Sequence, residues 1–125
     1  MTIELVKDYL SREGYRYEEI SDTLLAFKYQ GLGIICEEDR NDQYYFRLMM
    51  PKIYEIEGNR QKVIEATNKI TADIKVVKAF VENDNHVWLS IEMYIDSSPE
   101  IDDFMGRCLN SLYAVWHKLQ EMILG

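Results

Sequence analysis

Two apolar runs in the second half of the chain predict a β-hairpin between Ile74 and Ile95. Both runs are rich in β-branched and aromatic residues, and turn formers separate them. In the second run the odd-numbered residues are all apolar, so we assign that face to the core. A three-residue loop, Asn83-Asp84-Asn85 with Asn85 in the left-handed conformation, then fixes the register. The predicted core-face pairs are Val81 with Val87 and Ala79 with Leu89.

The other face of this hairpin mixes aromatic and charged residues. The same register pairs Phe80 with Trp88, Lys78 with Ser90, Val76 with Glu92 and Ile74 with Tyr94. Such a mixture is typical of a protein-binding or dimer-forming surface, although a helix lying over that face would explain it equally well. The residues that we predict to form the surface are Val76, Lys78, Phe80, Trp88, Glu92 and Tyr94.

Helical periodicity elsewhere predicts three helices. A short amphipathic helix begins with Thr2 as its cap, and a second runs from Asn59 to about Ala72. A long helix starts at Ser97 or Ser98, with Pro99 in its first turn, and spans about 35 Å. Its apolar stripe predicts core packing with a flank available to another chain. The stripe consists of Ile101, Met105, Cys108, Leu112, Val115, Leu119 and Met122.

Three further strands are predicted between the first two helices. They are Tyr15 to Ile20, one strand from Leu24 to Cys36 that two glycines bend, and Tyr44 to Met50, which Pro51 ends. The acidic stretch from Glu37 to Gln43 lacks the spacing of a calcium loop, so we interpret it as a solvated hairpin loop. These elements predict an α+β fold, with one antiparallel sheet packed by helices in the order α-β-β-β-α-β-β-α.

Composition narrows the class of protein further. A length of 125 residues suits a single domain over 1–125. A formal net charge of −8 argues against nucleic acid and anionic membranes as partners. No segment is long and apolar enough to cross a bilayer, and the first fifteen residues do not resemble a signal peptide, so we expect a cytoplasmic protein. Cys36 and Cys108 lack metal-binding spacing, and we expect reduced, buried thiols.

The sequence contains none of the common catalytic motifs. His86 falls in the predicted hairpin turn and His117 on the last helix. An acid–base site would have to combine His86 with Asp84 or Glu92, and nothing in their spacing orients them. We therefore predict a noncatalytic protein without metal or cofactor. The alternative is a small-ligand-binding or enzymatic domain with a pocket between helix and sheet.

Four segments of the chain resemble the YbjN-like family, labelled as bacterial sensory transduction regulators. They are VKDYLSREGYRY (Val6 to Tyr17), FKYQGLGIICEED (Phe27 to Asp39), FRLMMPKI (Phe46 to Ile53) and ATNKITADIKVVKAFV (Ala66 to Val81). The resemblance covers nearly the whole chain and implies the type III secretion chaperone-like fold. Members tend to show two Asn residues three apart in the second helix, whereas here Asn68 is followed by Thr71.

The resemblance also implies a function. Related chaperones are small, acidic, cytoplasmic and commonly dimeric, and they bind extended stretches of partner chains. We therefore expect a homodimeric bacterial chaperone or regulatory adaptor whose exposed sheet edge takes up a partner's peptide by backbone hydrogen bonds. Trp88, Phe80, Tyr94 and Val76 would supply apolar contacts, and Lys78 and Glu92 would set the polarity.

Overall fold

The computed structural model describes residues 2–125 as one six-stranded antiparallel sheet with three helices. The elements are α1 (Thr2–Arg12), β1 (Tyr17–Ser21), β2 (Leu24–Tyr29), β3 (Leu32–Asp39), β4 (Asp42–Glu55), α2 (Arg60–Asp73), β5 (Lys78–Val81), β6 (His86–Tyr94) and α3 (Ile101–Leu124). The strand order is β1-β2-β3-β4-β6-β5, and every pair is antiparallel. The predicted α+β class is therefore confirmed.

The helices pack on one face of the sheet. The backbone N–H of Thr2 in α1 donates to the Glu38 carboxylate at 2.8 Å, and the Phe104 ring of α3 meets the Phe46 ring edge-on at 6.0 Å. The buried residues of α2, such as Val63, belong to the same core cluster as the alternate strand residues of this face. The core is therefore one-sided, as the alternation of apolar residues in β6 predicts.

We call the opposite side of the sheet the open face, because no helix of residues 2–125 covers it. The strand register brings its side chains together from β2 to β5. They belong to Leu24, Ala26, Ile35, Glu37, Tyr45, Arg47, Met49, Lys78, Phe80, Trp88, Ser90, Glu92 and Tyr94. An overlying helix, one of the two explanations for the mixed hairpin face, is thus wrong for this part of the chain.

The predicted bent strand from Leu24 to Cys36 is wrong, because the chain reverses inside it. Gln30 and Gly31 have φ values of 51° and 81°, and Tyr29 pairs directly with Leu32. Two successive residues with positive φ form a two-residue hairpin loop, because the backbone twist of such a turn matches that of the two strands it joins. The element order is accordingly α-β-β-β-β-α-β-β-α, with four strands before α2.

Strand β4 continues past Pro51, contrary to the prediction that proline would end it. The register of β4 against β6 shifts between Met50 and Tyr54, and Lys52 has a φ of 48°. The missing N–H of Pro51 falls inside this irregularity, where regular ladder pairing is already interrupted. Pairing then resumes with Tyr54 and Glu55.

Two other boundaries differ from prediction. Helix α3 begins at Ile101, because the N–H of Ser98 donates to the Asp96 carboxylate at 2.9 Å in a turn before the helix. The acidic stretch is not one solvated loop, since Glu37 and Glu38 belong to β3 and Glu38 is buried beneath α1.

The apolar stripe of α3 lies in the core, as its spacing predicts. Met105, Leu112 and Leu119 are fully buried. Both thiols are buried as well, and burial raises the pKa of Cys36 and of Cys108. Within residues 2–125, none of the helices combines the length and hydrophobicity needed to span a bilayer.

Candidate functional site

The hairpin register that the sequence predicts is observed. Lys78 pairs with Ser90, Phe80 with Trp88, and the core-face pairs are also as expected. In the turn, Asn85 has a φ of 63° and donates its N–H to the carbonyl oxygen of Glu82 at 3.0 Å. The pattern thus placed Lys78, Phe80 and Trp88 correctly on the open face.

The pairs predicted before Lys78 do not form. Instead of extending β5, Val76 has a φ of 60°, and the N–H of Val77 donates to the carbonyl oxygen of Lys75 at 2.7 Å. This is a γ-turn with a β-branched central residue, a strained arrangement. The turn separates α2 from β5, so Val76 is not opposite Glu92, nor Ile74 opposite Tyr94. The Val76 side chain is 68% exposed.

Charged residues form a row across the open face in which the sign alternates. Arg47 of β4 donates from Nε and Nη2 to one carboxylate oxygen of Glu37 in β3, at 3.0 and 2.5 Å. On the next strand, Glu92 accepts hydrogen bonds from Lys78 and Tyr45. The order Glu37, Arg47, Glu92, Lys78 makes the row neutral, although the chain carries −8.

The ionisation of two groups follows from these contacts. Burial by itself would raise the pKa of Glu92, but hydrogen bonds from Lys78 and Tyr45, with the charges of Lys78 and Arg47, lower it below its ordinary value. Burial and the hydrogen bond to the Glu92 carboxylate raise the pKa of Tyr45 to about 12. Glu92 is therefore held ionised and Tyr45 protonated at neutral pH.

An apolar depression of about 300 Å³ lies beside the charged row. Its lining consists of Leu24, Ile35, Met49, Phe80 and Trp88, together with the charged residues Glu37, Arg47 and Glu82. The Trp88 Nε1–H donates to the Asp84 carboxylate at 3.2 Å, which fixes the orientation of the indole. The depression thus combines two aromatic rings with the aliphatic side chains of Leu24, Ile35 and Met49.

Ser90 occupies the strand position between Trp88 and Glu92. It is fully buried although no described helix lies over it, and its Oγ has no hydrogen-bond partner among residues 2–125. Its short side chain keeps the middle of the open face low, which leaves the neighbouring rings and charges standing above it.

The acid–base candidates do not converge. The Nδ1 atom of His86 lies 2.8 Å from the carbonyl oxygen of Asp84 and 3.7 Å from its carboxylate, in the exposed hairpin turn. Glu92 bonds to Lys78 and Tyr45 instead, and His117 contacts the Tyr113 and Trp116 rings of its own helix. Residues 2–125 contain no group of three His, Cys, Asp or Glu side chains placed to hold a metal.

Sequence reasoning missed the contact that holds β5 in place. The hydroxyl of Thr71 in α2 accepts from the N–H of Ala79 at 2.9 Å and donates to its carbonyl oxygen at 3.0 Å. Thr71 stands where the resembling family tends to have Asn, and both side chains can donate and accept at once. The presence of Thr where the family tends to have Asn was therefore the one feature of the sequence that could have indicated this contact.

The chain has the type III secretion chaperone-like fold, as its resemblance to the YbjN-like family predicts. No protein-family model matches the sequence, and no curated protein matches it. Several solved structures do match, among them three at 14–16% identity, which shows the fold alone.

The first solved structure is the heterodimeric complex ExoU–SpcU from the type III secretion system of Pseudomonas aeruginosa. Its matching chain is 16% identical, with a TM-score of 0.68 over 93% of this chain and 95% of that one. The type III secretion chaperone SycH of Yersinia pestis, in complex with a fragment of YscM2, is 14% identical, with a TM-score of 0.66 over 93% and 97%. YbjN of E. coli is 16% identical, with a TM-score of 0.66 over 95% and 89%.

Proposed function

We propose that this protein is a noncatalytic chaperone-like or regulatory adaptor that binds an extended segment of a partner protein on the open face. The observation that carries the proposal is the apolar depression at Phe80 and Trp88, which no helix of residues 2–125 covers. Large aromatic side chains in a well-defined depression are the usual anchors of protein interfaces. The similarity to SpcU and SycH, whose structures are complexes with ExoU and a YscM2 fragment, supports the proposal.

The charges of the open face fit a polypeptide ligand better than a charged small molecule. Because Glu37 pairs with Arg47 and Glu92 with Lys78, the row has no excess charge to neutralise. Paired charges at an interface set register and orientation rather than raw affinity. An extended segment would place apolar side chains in the depression while its backbone and polar groups meet the charged row.

We further propose that the protein acts in the bacterial cytoplasm as a homodimer. Both statements rest on the resemblance to the chaperones, together with the acidic composition. Sedimentation equilibrium of the purified full chain measures the oligomeric state, and a monomer at micromolar concentration would contradict the dimer.

The function is tested with Trp88→Ala. Native mass spectrometry of protein gently purified from its own cells first identifies the bound polypeptide. Trp88 is half-buried, and no helix of residues 2–125 covers it, so its truncation to Ala should leave the monomer folded. It should weaken the complex with the partner about 30-fold, the effect of losing an anchor residue that contributes about 2 kcal/mol.

The matched control is Tyr44→Ala, which removes a 44%-exposed aromatic residue from the other side of the sheet. It should leave the affinity unchanged. Unfolding of Trp88→Ala would show that Trp88 belongs to the core, and a small bound molecule instead of a polypeptide would favour the ligand-binding alternative.

A further inference from the structure

Strand β6 has an unpaired edge beyond the end of β5. The N–H of Ile95 donates to Tyr44 on the β4 side at 2.8 Å, whereas the carbonyl oxygen of His86 accepts from Glu82 on the β5 side at 2.9 Å. Since the backbone groups of an antiparallel strand alternate in direction, the N–H and carbonyl groups of the even-numbered residues of β6 point toward β5. The contacts of Thr71 agree, because they show that the backbone N–H and carbonyl groups of Ala79 in β5 point outward, away from β6.

The first residue of β5 is Lys78, whose partner is Ser90. Glu92 and Tyr94 therefore direct two N–H groups and two carbonyl oxygens to a position that no strand of residues 2–125 occupies. None of these four groups has a hydrogen-bond partner in that part of the chain. We call this position, beside β6 residues 91–94 and in line with Lys78, the notch.

The chain is prevented from filling the notch itself. The Thr71 hydroxyl holds Ala79 against the last turn of α2, and Val77 is buried with 2% of its surface exposed. Only residues 74–76 remain to reverse direction between α2 and β5, and the γ-turn at Val76 uses them. Unpaired strand groups in this geometry are a template for an added strand.

We propose that the notch binds a short extended segment of a partner protein, which continues β5 beyond Lys78. The inference rests on the proposed function and specifies where the segment forms its backbone hydrogen bonds. Alternate side chains of the segment would face the helix layer, where Met93 and Ile95 are half-buried apolar residues. The others would lie on the open face beside Glu92 and the Tyr94 ring, which is 83% exposed.

Charge complementarity defines the chemistry of the segment. Although Glu92 is already paired with Lys78, the chain as a whole carries −8, and the exposed face of the Tyr94 ring favours a cation above it. We therefore assign a segment in which Lys or Arg on the open face alternates with aliphatic residues facing the helices.

A second copy of this chain is a poor occupant. A contact four residues long falls far short of the roughly 800 Å² per partner of a stable interface, so the proposed homodimer has to form elsewhere on the molecule.

The other edges of the sheet are less suited to pairing. Thr71 already occupies the backbone groups of Ala79 on the outer edge of β5. The outer edge of β1 carries Glu18 and Glu19 and has a register shift before Ser21, features that discourage strand addition. The backbone groups of Glu92 and Tyr94 that face the notch have no partner among residues 2–125, and β6 has no register shift from Ser90 to Tyr94.

The probe for the experiment is the blocked hexapeptide Lys-Val-Lys-Val-Lys-Val, titrated into the ¹⁵N-labelled full chain. We expect the Glu92 and Tyr94 amide signals to shift and their hydrogen exchange to slow. The same peptide N-methylated at alternate residues, which cannot form the ladder, should not bind. Shifts confined to β1 amides, or none at millimolar peptide, would overturn the proposal.

A matched pair of variants isolates the backbone contribution. Tyr94→Pro removes the N–H that points into the notch and breaks no intramolecular hydrogen bond, whereas Tyr94→Ala removes only the ring. We expect Tyr94→Pro to bind the hexapeptide about tenfold more weakly than Tyr94→Ala, the effect of one lost hydrogen bond. Equal affinities would overturn the proposal.

The native partner distinguishes this inference from the function on which it rests. If the partner depends on Trp88 but binds Tyr94→Pro as well as Tyr94→Ala, the open face is the binding site and the notch is not. If partner binding depends on neither Trp88 nor Tyr94, the proposed function itself fails.

Discussion

Replacing Thr71 with Val tests the contact that holds α2 to the edge of the sheet. Valine keeps the shape and the branched Cβ of threonine but has no hydroxyl, so the N–H and carbonyl oxygen of Ala79 both lose their partner. Helix propensity changes little, since both side chains are β-branched. The hydroxyl is therefore the main variable.

The expected cost follows from the two hydrogen bonds. Each contributes about 0.5–1.5 kcal/mol net, so we expect a total loss of about 1–3 kcal/mol. For 125 residues, an unfolding entropy of about 2.1 cal/mol/K per residue converts this loss into a decrease in Tm of about 4–11 °C.

Urea unfolding measures the free energy, and hydrogen exchange of the Ala79 amide reports the contact directly. Thr71→Ser is the control, because it keeps a hydroxyl and should preserve both the stability and the slow exchange of Ala79. If Thr71→Val is within 0.3 kcal/mol of the parent, or if Ala79 remains protected, the hydroxyl does not hold β5 and the reasoning about the edge is refuted.

Two further predictions concern the open face and the γ-turn. Since the folded-state pKa of Glu92 is lowered, the ionised carboxylate stabilises the fold fully above the ordinary pKa of 4.5, and this stabilisation is lost as the pH falls below that value. Glu92→Gln should therefore reduce the fall of the unfolding free energy at acidic pH. Parallel curves of unfolding free energy against pH for the variant and the parent would contradict this. Val76→Gly should raise stability by about 0.5–1 kcal/mol, because relief of about 1–2 kcal/mol of strain exceeds the added chain entropy. Val77→Gly, at a buried neighbour, should lower it, and a destabilised Val76→Gly would show that the turn is unstrained.

The sequence determined the features that depend on local periodicity. The alternation along β6 fixes which side chains face the core, and a one-residue slip would bury the charged set, so the pairing of Phe80 with Trp88 could be predicted. The stripe of α3 and the buried residues of α1 and α2 follow from the helical repeat in the same way.

Tertiary structure decided where the chain reverses. Glycine at position 31 is compatible with a bulge or a turn, and only the pairing of β2 with β3 selects the turn. Val76 has the residue type of a strand, but Thr71 and the buried Val77 hold the chain in a γ-turn that local propensity disfavours. The notch beside Glu92 and Tyr94 exists because this γ-turn keeps the chain from pairing there.

Part of the candidate site could likewise be predicted from the sequence, and part depends on the tertiary structure. The hairpin supplies Lys78, Phe80, Trp88, Glu92 and Tyr94, all within one local pattern that the sequence displays. Its other half comes from β2, β3 and β4, including Glu37 and Arg47, and these residues reach the hairpin only because β4 lies between β3 and β6. Strand order depends on how the whole core packs beneath α1, α2 and α3, and no local period encodes it.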